Sequence, residues 1–242
     1  MKFNWYKITI ILALILIGLA FYSFNKKNEN RTTKELDISI LPSEDSYLSK
    51  DSIRSILNPF LGDVKKSINL NLIENIIDNN SYVDKSEVSL SFSGKLFLKI
   101  KQKNPVGRVI SENEMFYVDK DLRKMDLSKY QSARVPIIIG FENEINRSYL
   151  KKIFELIDDD SFLKQNISKI IISSPNSISL KLRTYDIIVS MGDQRNLKNK
   201  FLKLRAFYTR ASAKKKLKEF KQINLQFDNQ VVGVKNFSYV KK

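Results

Sequence analysis

The only run of acidic side chains that could hold a metal ion is Asp158-Asp159-Asp160. Calcium loops spread their oxygen ligands over about twelve residues, and the sequence around this run lacks that spacing. The run also follows an amphipathic stretch, and carboxylates are unfavourable at the negative end of a helix dipole. We therefore predict that residues 158–160 form a loop and that the chain has no metal site.

The residue types that most enzymes use for catalysis are missing. The 242-residue chain has no cysteine and no histidine, which excludes disulfides, a cysteine nucleophile, a Ser-His-Asp triad and a histidine-ligated zinc. Its seven glycines form neither a dinucleotide-binding fingerprint nor a phosphate-binding loop. We predict a protein with no catalytic residues and no cofactor. A glycan enzyme using two convergent carboxylates is the alternative.

Without catalytic residues, the chain can still bind a partner through backbone hydrogen bonds. Residues 222–234 are the candidate binding stretch. Residues 222–227 predict a strand, residues 228–229 a turn, and residues 231–234 a last extended piece. A strand near the end of a chain can lie at a sheet edge, where unpaired N–H and C=O groups accept a strand from a partner. The alternative is that these residues only complete the core. The predicted partner-binding residues are Gln226, Phe227, Asn229, Val231, Val232, Gly233 and Val234.

The chain is strongly basic, with a formal net charge of +16 at pH 7, and residues 194–211 are a basic stretch with helical periodicity. Leu197, Phe201, Leu204 and Tyr208 recur at the spacing of one helix face. This stripe predicts a helix that packs on a core with its charges in solvent. Contact with anionic lipid is the alternative interpretation, and we predict no nucleic-acid partner.

Residues 8–24 are uncharged and apolar on every face of a helix. At 1.5 Å per residue they span roughly 26 Å, close to the ~30 Å hydrocarbon core of a bilayer. Lys7 and Lys26 flank the run, and their ammonium groups can reach the headgroups. We predict a retained transmembrane helix. A cleaved signal peptide is the alternative, because Gly18-Leu19-Ala20 fits a small-x-small cleavage site.

The rest of the chain predicts an α+β fold in two domains. Residues 36–104 give the order strand, helix, helix, strand, strand, in which two helices cover one face of a three-stranded sheet. Within this domain, Asn71 with Glu74 predicts a helix cap, and Phe92 is expected to face the core at the end of a strand. Residues 105–234 predict a mixed β domain with two helices, at 147–158 and 194–211.

Several short motifs, in this order and after one membrane helix, resemble the FtsQ/DivIB family of bacterial cell-division proteins. Residues 69–88 are similar to the helix and following strand of the family's POTRA domain, and residues 101–108 to its junction with the β domain, with Gln102 where glutamate is usual. The similar stretches of the β domain are Tyr117-Val118-Asp119, residues 135–140 and residues 223–227.

The resemblance implies a single-pass division scaffold whose large domains lie outside the cytoplasm. More basic residues follow the apolar run than precede it, and read literally this bias would keep the large domains in the cytoplasm. The rule weakens for long translocated domains, so the flanking charges do not by themselves determine the orientation. The resemblance also implies that residues 222–234 bind FtsB/DivIC-like and FtsL-like partners and that the protein helps to control septal peptidoglycan synthesis. A POTRA-bearing envelope transport or assembly component is a further alternative. The expected segments are a cytoplasmic tail at 1–7, the membrane helix at 8–24, a linker at 25–35, a POTRA domain at 36–104, a β domain at 105–234 and a C-terminal tail at 235–242.

Overall fold

The computed structural model describes residues 5–33, 35–42, 46–64, 67–141, 147–174 and 177–236. The chain divides into two compact units, Met1–Lys103 and Asn104–Lys242. Both contain helices and strands, so the predicted α+β class is confirmed.

The apolar run forms helix α1, Trp5–Glu29, none of whose residues is buried. It is long and apolar enough to cross a membrane. The helix continues beyond the apolar run as far as Glu29, so the first part of the expected linker at 25–35 is helical. Thr32 and Thr33 follow it and contact the first unit rather than forming a free linker, since Thr32 pairs with Val64 and Thr33 is fully buried.

The first unit has the predicted order of elements. Its strands and helices are β1 (Glu35–Leu41), α2 (Lys50–Leu57), α3 (Leu70–Asp78), β2 (Val83–Leu90) and β3 (Lys95–Gln102). The sheet order is β1-β3-β2, with β1 parallel and β2 antiparallel to β3. Alternation along β3 places Leu96, Leu98 and Ile100 in the core with Ile53 of α2 and Ile73 of α3.

Two local predictions in this unit are wrong. Helix α3 is capped by Asn69, whose side chain accepts a hydrogen bond from Leu72 N at 3.1 Å, and not by Asn71. Glu74 instead accepts from Val88 N at 2.7 Å and joins the helix to β2. Phe92 is 81% exposed, because β2 ends at Leu90 and Phe92 lies in the turn before β3 begins at Lys95.

Gln102, which stands where the resembled family usually has glutamate, has a structural role in this chain. It is buried at the end of β3, where its amide nitrogen donates to the Pro42 carbonyl at 3.1 Å and its amide oxygen accepts from Tyr47 N at 3.1 Å. An ionised glutamate could accept a hydrogen bond here but could not donate one. The amide therefore holds both ends of the segment between β1 and α2.

The second unit is built on one nine-stranded sheet. Its strands are β4 (Pro105–Ile110), β5 (Met115–Asp119), β6 (Lys124–Met125), β7 (Ile137–Ile139), β8 (Ile167–Ser174), β9 (Ser177–Leu182), β10 (Ile188–Gly192), β11 (Phe220–Asn224) and β12 (Val232–Lys235). The order across the sheet is β12-β11-β10-β9-β8-β7-β4-β5-β6. One hydrophobic core joins this sheet to the helices of the unit.

Three α-helices, rather than the predicted two, occur in the described part of this unit. They are α4 (Arg147–Asp158), α5 (Ser161–Asn166) and α6 (Leu197–Ala213). The short α5 was missed, and the acidic run that was expected to form a loop connects it to α4. Asp160 caps α5 by accepting from Phe162 N at 2.8 Å, and Asp158 pairs with Lys164 at 2.6 Å.

Candidate interaction site

The C-terminal strand β12 lies at one edge of the nine-stranded sheet. It pairs antiparallel with β11, and among the described residues nothing pairs with its other side. Strand β11 lies between β10 and β12, so it has no free edge. The first half of the predicted binding stretch therefore belongs to the interior of the sheet, and only its second half supplies an edge strand.

Two backbone hydrogen bonds show which groups of β12 face outward. Leu225 N donates to Ser190 O at 3.0 Å, so by alternation the N–H of Ile223 also points towards β10 and away from its partner Gly233. Asn236 N donates inward to Glu219 O at 2.8 Å. By alternation, the N–H groups of residues 235 and 233 then point outward, which agrees with the first bond. The backbone N–H and C=O groups of Gly233 and Lys235 therefore face the free side of the sheet.

Gly233 lets β12 lie directly on aromatic rings. A Cβ atom at this position would lie 2.6 Å from a ring carbon of Phe220 and 3.0 Å from one of Phe207. These two rings contact each other edge to face, with centroids 5.1 Å apart, and join β11 to helix α6. The position of the edge strand is thus fixed by close packing that only glycine permits.

Polar contacts hold β12 at both ends. Lys203 of α6 donates from Nζ to the carbonyl oxygens of Phe227 (2.6 Å) and Asp228 (3.1 Å), in the loop that leads to β12. At the other end, Lys235 pairs with Glu219 at 3.0 Å. Helix α6 therefore acts as a support for the edge strand, and its partly buried Lys203 has a defined structural role.

A buried lysine fixes the start of α6. The Lys200 side chain is 4% exposed, and its Nζ donates to the Asp193 carboxylate at 3.0 Å and to the Asp193 carbonyl at 2.8 Å. The Tyr149 hydroxyl donates to the carbonyls of Gly192 and Asp193, each at 3.0 Å. Burial, followed by the Asp193 charge, raises the pKa of Tyr149, so this hydroxyl keeps its proton. The turn between β10 and α6 is thereby held from both sides.

Acid should weaken this turn. Hydrogen bonds from Lys200 and then Arg195 lower the pKa of Asp193 from 3.8 to about 2. A carboxylate with a lowered folded-state pKa stabilises the protein above its unfolded pKa, and that contribution is lost as the pH falls from about 4 to about 2. We expect the melting temperature, followed by circular dichroism in detergent, to fall across this window. Asp193→Asn should flatten that fall, and an unchanged pH profile would contradict the assignment.

The predicted site residues fall into two groups. Gln226, Phe227 and Asn229 lie in the exposed loop between β11 and β12, and Gln226 packs against Gly192. Val231, Val232, Gly233 and Val234 lie in or directly before the edge strand, and Val231 packs against the core. The roles of Lys203, Phe207 and Lys235 in holding β12 were not predicted, because they depend on contacts between elements far apart in the chain.

A family model described as FtsQ/DivIB, C-terminal related, matches residues 104–234. The chain belongs to this family. The predicted family resemblance is therefore confirmed, and with it a place among bacterial cell-division proteins. In the part of the chain that the structure describes, one helix is long and apolar enough to cross a membrane, which fits a single-pass membrane protein.

Other comparisons contribute less. No curated protein matches the chain. Among solved structures, the chain is similar to the major extracytoplasmic domain of the trans isomer of the cell-division protein DivIB from Geobacillus stearothermophilus. That match has 11% sequence identity, covers 48% of this chain and 97% of the other, and has a TM-score of 0.32.

The FtsQ/DivIB-like motif Tyr117-Val118-Asp119 has a structural role in this chain. The buried Tyr117 hydroxyl accepts a hydrogen bond from Ala133 N at 3.0 Å and so holds the long segment before β7. The Asp119 carboxylate accepts from Arg123 N at 2.8 Å and Arg123 Nε at 2.7 Å, which closes the turn into β6. These contacts lie at the β5 end of the sheet, opposite the β12 edge.

Proposed function

We propose that this protein is a membrane-anchored division scaffold that binds an extended segment of a partner along the free edge of β12. The observation that carries the proposal is the placement of β12 as the last strand of the sheet, with outward backbone groups at Gly233 and Lys235. A partner strand would add to this edge by β-augmentation, in which main-chain hydrogen bonds supply much of the affinity.

The side chains of β12 would select the partner. Val232, which is 37% exposed, and Val234 lie on the face opposite Gly233, and alternate residues of an added strand would pack beside them. The exposed loop with Phe227 extends the same surface at the start of β12. An amphipathic strand with apolar residues on one face fits this edge.

Family membership supports the choice of partner. We propose that the segment belongs to an FtsB/DivIC-like protein in complex with an FtsL-like protein, and that binding recruits them for control of septal peptidoglycan synthesis. Residues 36–104 would form the POTRA domain and residues 105–234 the β domain, and both would lie outside the cytoplasm. A shared membrane confines the binding partners and so raises their effective concentration. The scaffold itself would do no chemistry.

The experiment compares Lys235→Pro with Lys235→Ala. Both variants lose the ion pair to Glu219, but only proline removes the outward N–H and places a ring at the edge. We expect the proline variant to bind the FtsB/DivIC-like partner about tenfold or more weakly, since one hydrogen bond contributes about 1 kcal/mol and the ring adds a clash. The alanine variant should bind nearly as well as the parent. The measurement is a titration with the full chain in nanodiscs.

Equal affinities for the two variants would place the partner elsewhere on the protein. Incubation of the same preparation with purified peptidoglycan tests the enzyme alternative. We expect no release of soluble fragments, and turnover would overturn the scaffold proposal.

Lipid contact by the basic helix would have to use few of its charges. Lys200, Lys203 and Arg205 contact groups within the second unit, where Arg205 pairs with Asp160. Lys198 and Arg210 are exposed and could face anionic headgroups. We therefore propose support of β12 as the main role of α6 and lipid contact as a secondary one.

A further inference from the structure

The tip of the β2–β3 hairpin carries a strongly exposed aromatic side chain. Phe92 is 81% exposed, more than any other large hydrophobic residue in the described part of the chain, including those of α1. Its neighbours Ser91 and Ser93 are polar and contact each other through their hydroxyls at 2.8 Å. A single phenylalanine at the tip of a polar turn contributes little to the core of its own unit.

This tip lies against the chain that leaves α1. Arg31 donates from Nη1 to the Phe92 carbonyl at 3.4 Å. Gly94 has a positive φ of 87°, and a Cβ there would lie 2.9 Å from the Thr32 carbonyl oxygen. The hairpin backbone therefore packs directly on residues 31–32.

A second loop holds the same segment from the other direction. Thr33 N donates to Asp63 O at 3.0 Å, Gly62 N donates to Thr33 O at 2.7 Å, and Thr32 pairs with Val64. Residues 31–33 are thus clamped between two loops of the first unit. A clamped segment fixes the hairpin tip relative to the end of α1.

The tip contacts residues 31–32, which follow the end of α1 at Glu29 by two and three positions. Helix α1 continues from Phe24 to Glu29, which at 1.5 Å per residue adds about 8 Å beyond the apolar part. The headgroup region of a bilayer is roughly 5–8 Å thick on each side. Lys26 and Lys27 lie in the last turn of α1 and Arg31 follows the helix, so their long side chains can reach back towards anionic headgroups.

We propose that Phe92 anchors the hairpin tip in the membrane interface, so that the lipid surface is the partner of this turn. The inference rests on α1 spanning the bilayer and concerns a surface separate from the β12 edge. Aromatic side chains favour the interface, and basic residues beside an apolar group strengthen the contact. The anchor would hold the sheet β1–β3 with α2 and α3 at a fixed height above the lipid, in addition to the tether that α1 provides.

The absence of native cysteine allows a direct test. Phe92→Cys carries a bimane label in the full chain, reconstituted in nanodiscs with spin-labelled lipid. Lys101→Cys is the matched control, because it is exposed on β3 and lies roughly 23 Å along the strand from Gly94. Leu16→Cys, in the middle of the apolar run, reports whether α1 spans the bilayer.

We expect spin-labelled lipid to remove roughly half or more of the emission at position 92 and little at position 101. Equal quenching at 92 and 101 would overturn the interfacial anchor. Loss of quenching at position 16 would overturn it too, by showing that α1 does not cross the bilayer. Phe92→Ser should keep full partner binding at β12, so failure of this proposal is distinguishable from failure of the binding site.

Discussion

Replacement of Gly233 by alanine should displace the edge strand and weaken partner binding more than tenfold. The added Cβ would meet the Phe220 ring at 2.6 Å, a separation that real atoms do not adopt, so either the ring or β12 must move. Overpacking of this kind costs about 1–3 kcal/mol. Because the rings join β11 to α6, moving β12 is the easier response, and the outward N–H groups move with it.

A control variant with a smaller side chain at position 220 makes room for the methyl group that Gly233→Ala adds. Phe220→Ala removes the nearer ring, so Gly233→Ala should cost less binding in that background than in the parent. Hydrogen exchange of residues 230–236 reports the position of the strand, and titration of the partner reports the binding. Unchanged exchange and unchanged affinity in the single Gly233→Ala variant would show that close packing does not hold β12.

Removal of the Asp193 carboxylate should destabilise the second unit by about 2 kcal/mol. Breaking a buried ion pair from one side costs about 3–5 kcal/mol, because the remaining charge stays in a poorly solvated place. Asp193 is 40% exposed in its side chain, so solvent screening reduces that figure, whereas Lys200 is only 4% exposed. In Asp193→Ala, the ammonium group keeps only the backbone carbonyl of residue 193 among its two observed acceptors.

Lys200→Met provides the comparison. Methionine keeps the buried apolar stem and removes the charge, so we expect it to cost less than the loss of Asp193. The double variant should recover part of the stability lost in Asp193→Ala. Urea unfolding in detergent, followed by circular dichroism, measures all three. A Lys200→Met variant less stable than Asp193→Ala would contradict this explanation of the pair.

Local periodicity predicted most elements because it depends on which face of an element is buried. Helix α4 has the predicted bounds, and α6 buries Leu197, Phe201 and Leu204 of its predicted stripe. The predicted cap of α3 is wrong, because local spacing does not distinguish between two nearby capping residues. Asn69 and Asn71 both have the side chain that a cap needs, but Glu74 accepts from Val88 N of β2 and so does not complete a capping box with Asn71.

The alternation of apolar residues along β2 predicted the wrong environment for Phe92. The residue continues the apolar pattern of β2, but the strand ends two residues earlier, and Ser91 accepts from Lys95 N at 2.9 Å to close the turn. Turn hydrogen bonds thus overrode the binary pattern. The short α5 was missed because its aspartate cap follows directly on the end of α4, and one acidic run serves both elements.

The amino-acid sequence by itself determined what this protein does not use for chemistry, where its apolar helix lies and which faces of its elements are buried. These properties follow from residue types and from spacings of a few residues. Only the tertiary structure decided that β12, and not β11, is the edge. Strand β11 becomes central because it pairs in parallel with β10, although the whole of α6 separates the two strands in the chain. The sequence cannot show this, because a central strand and an edge strand have the same alternation of side chains.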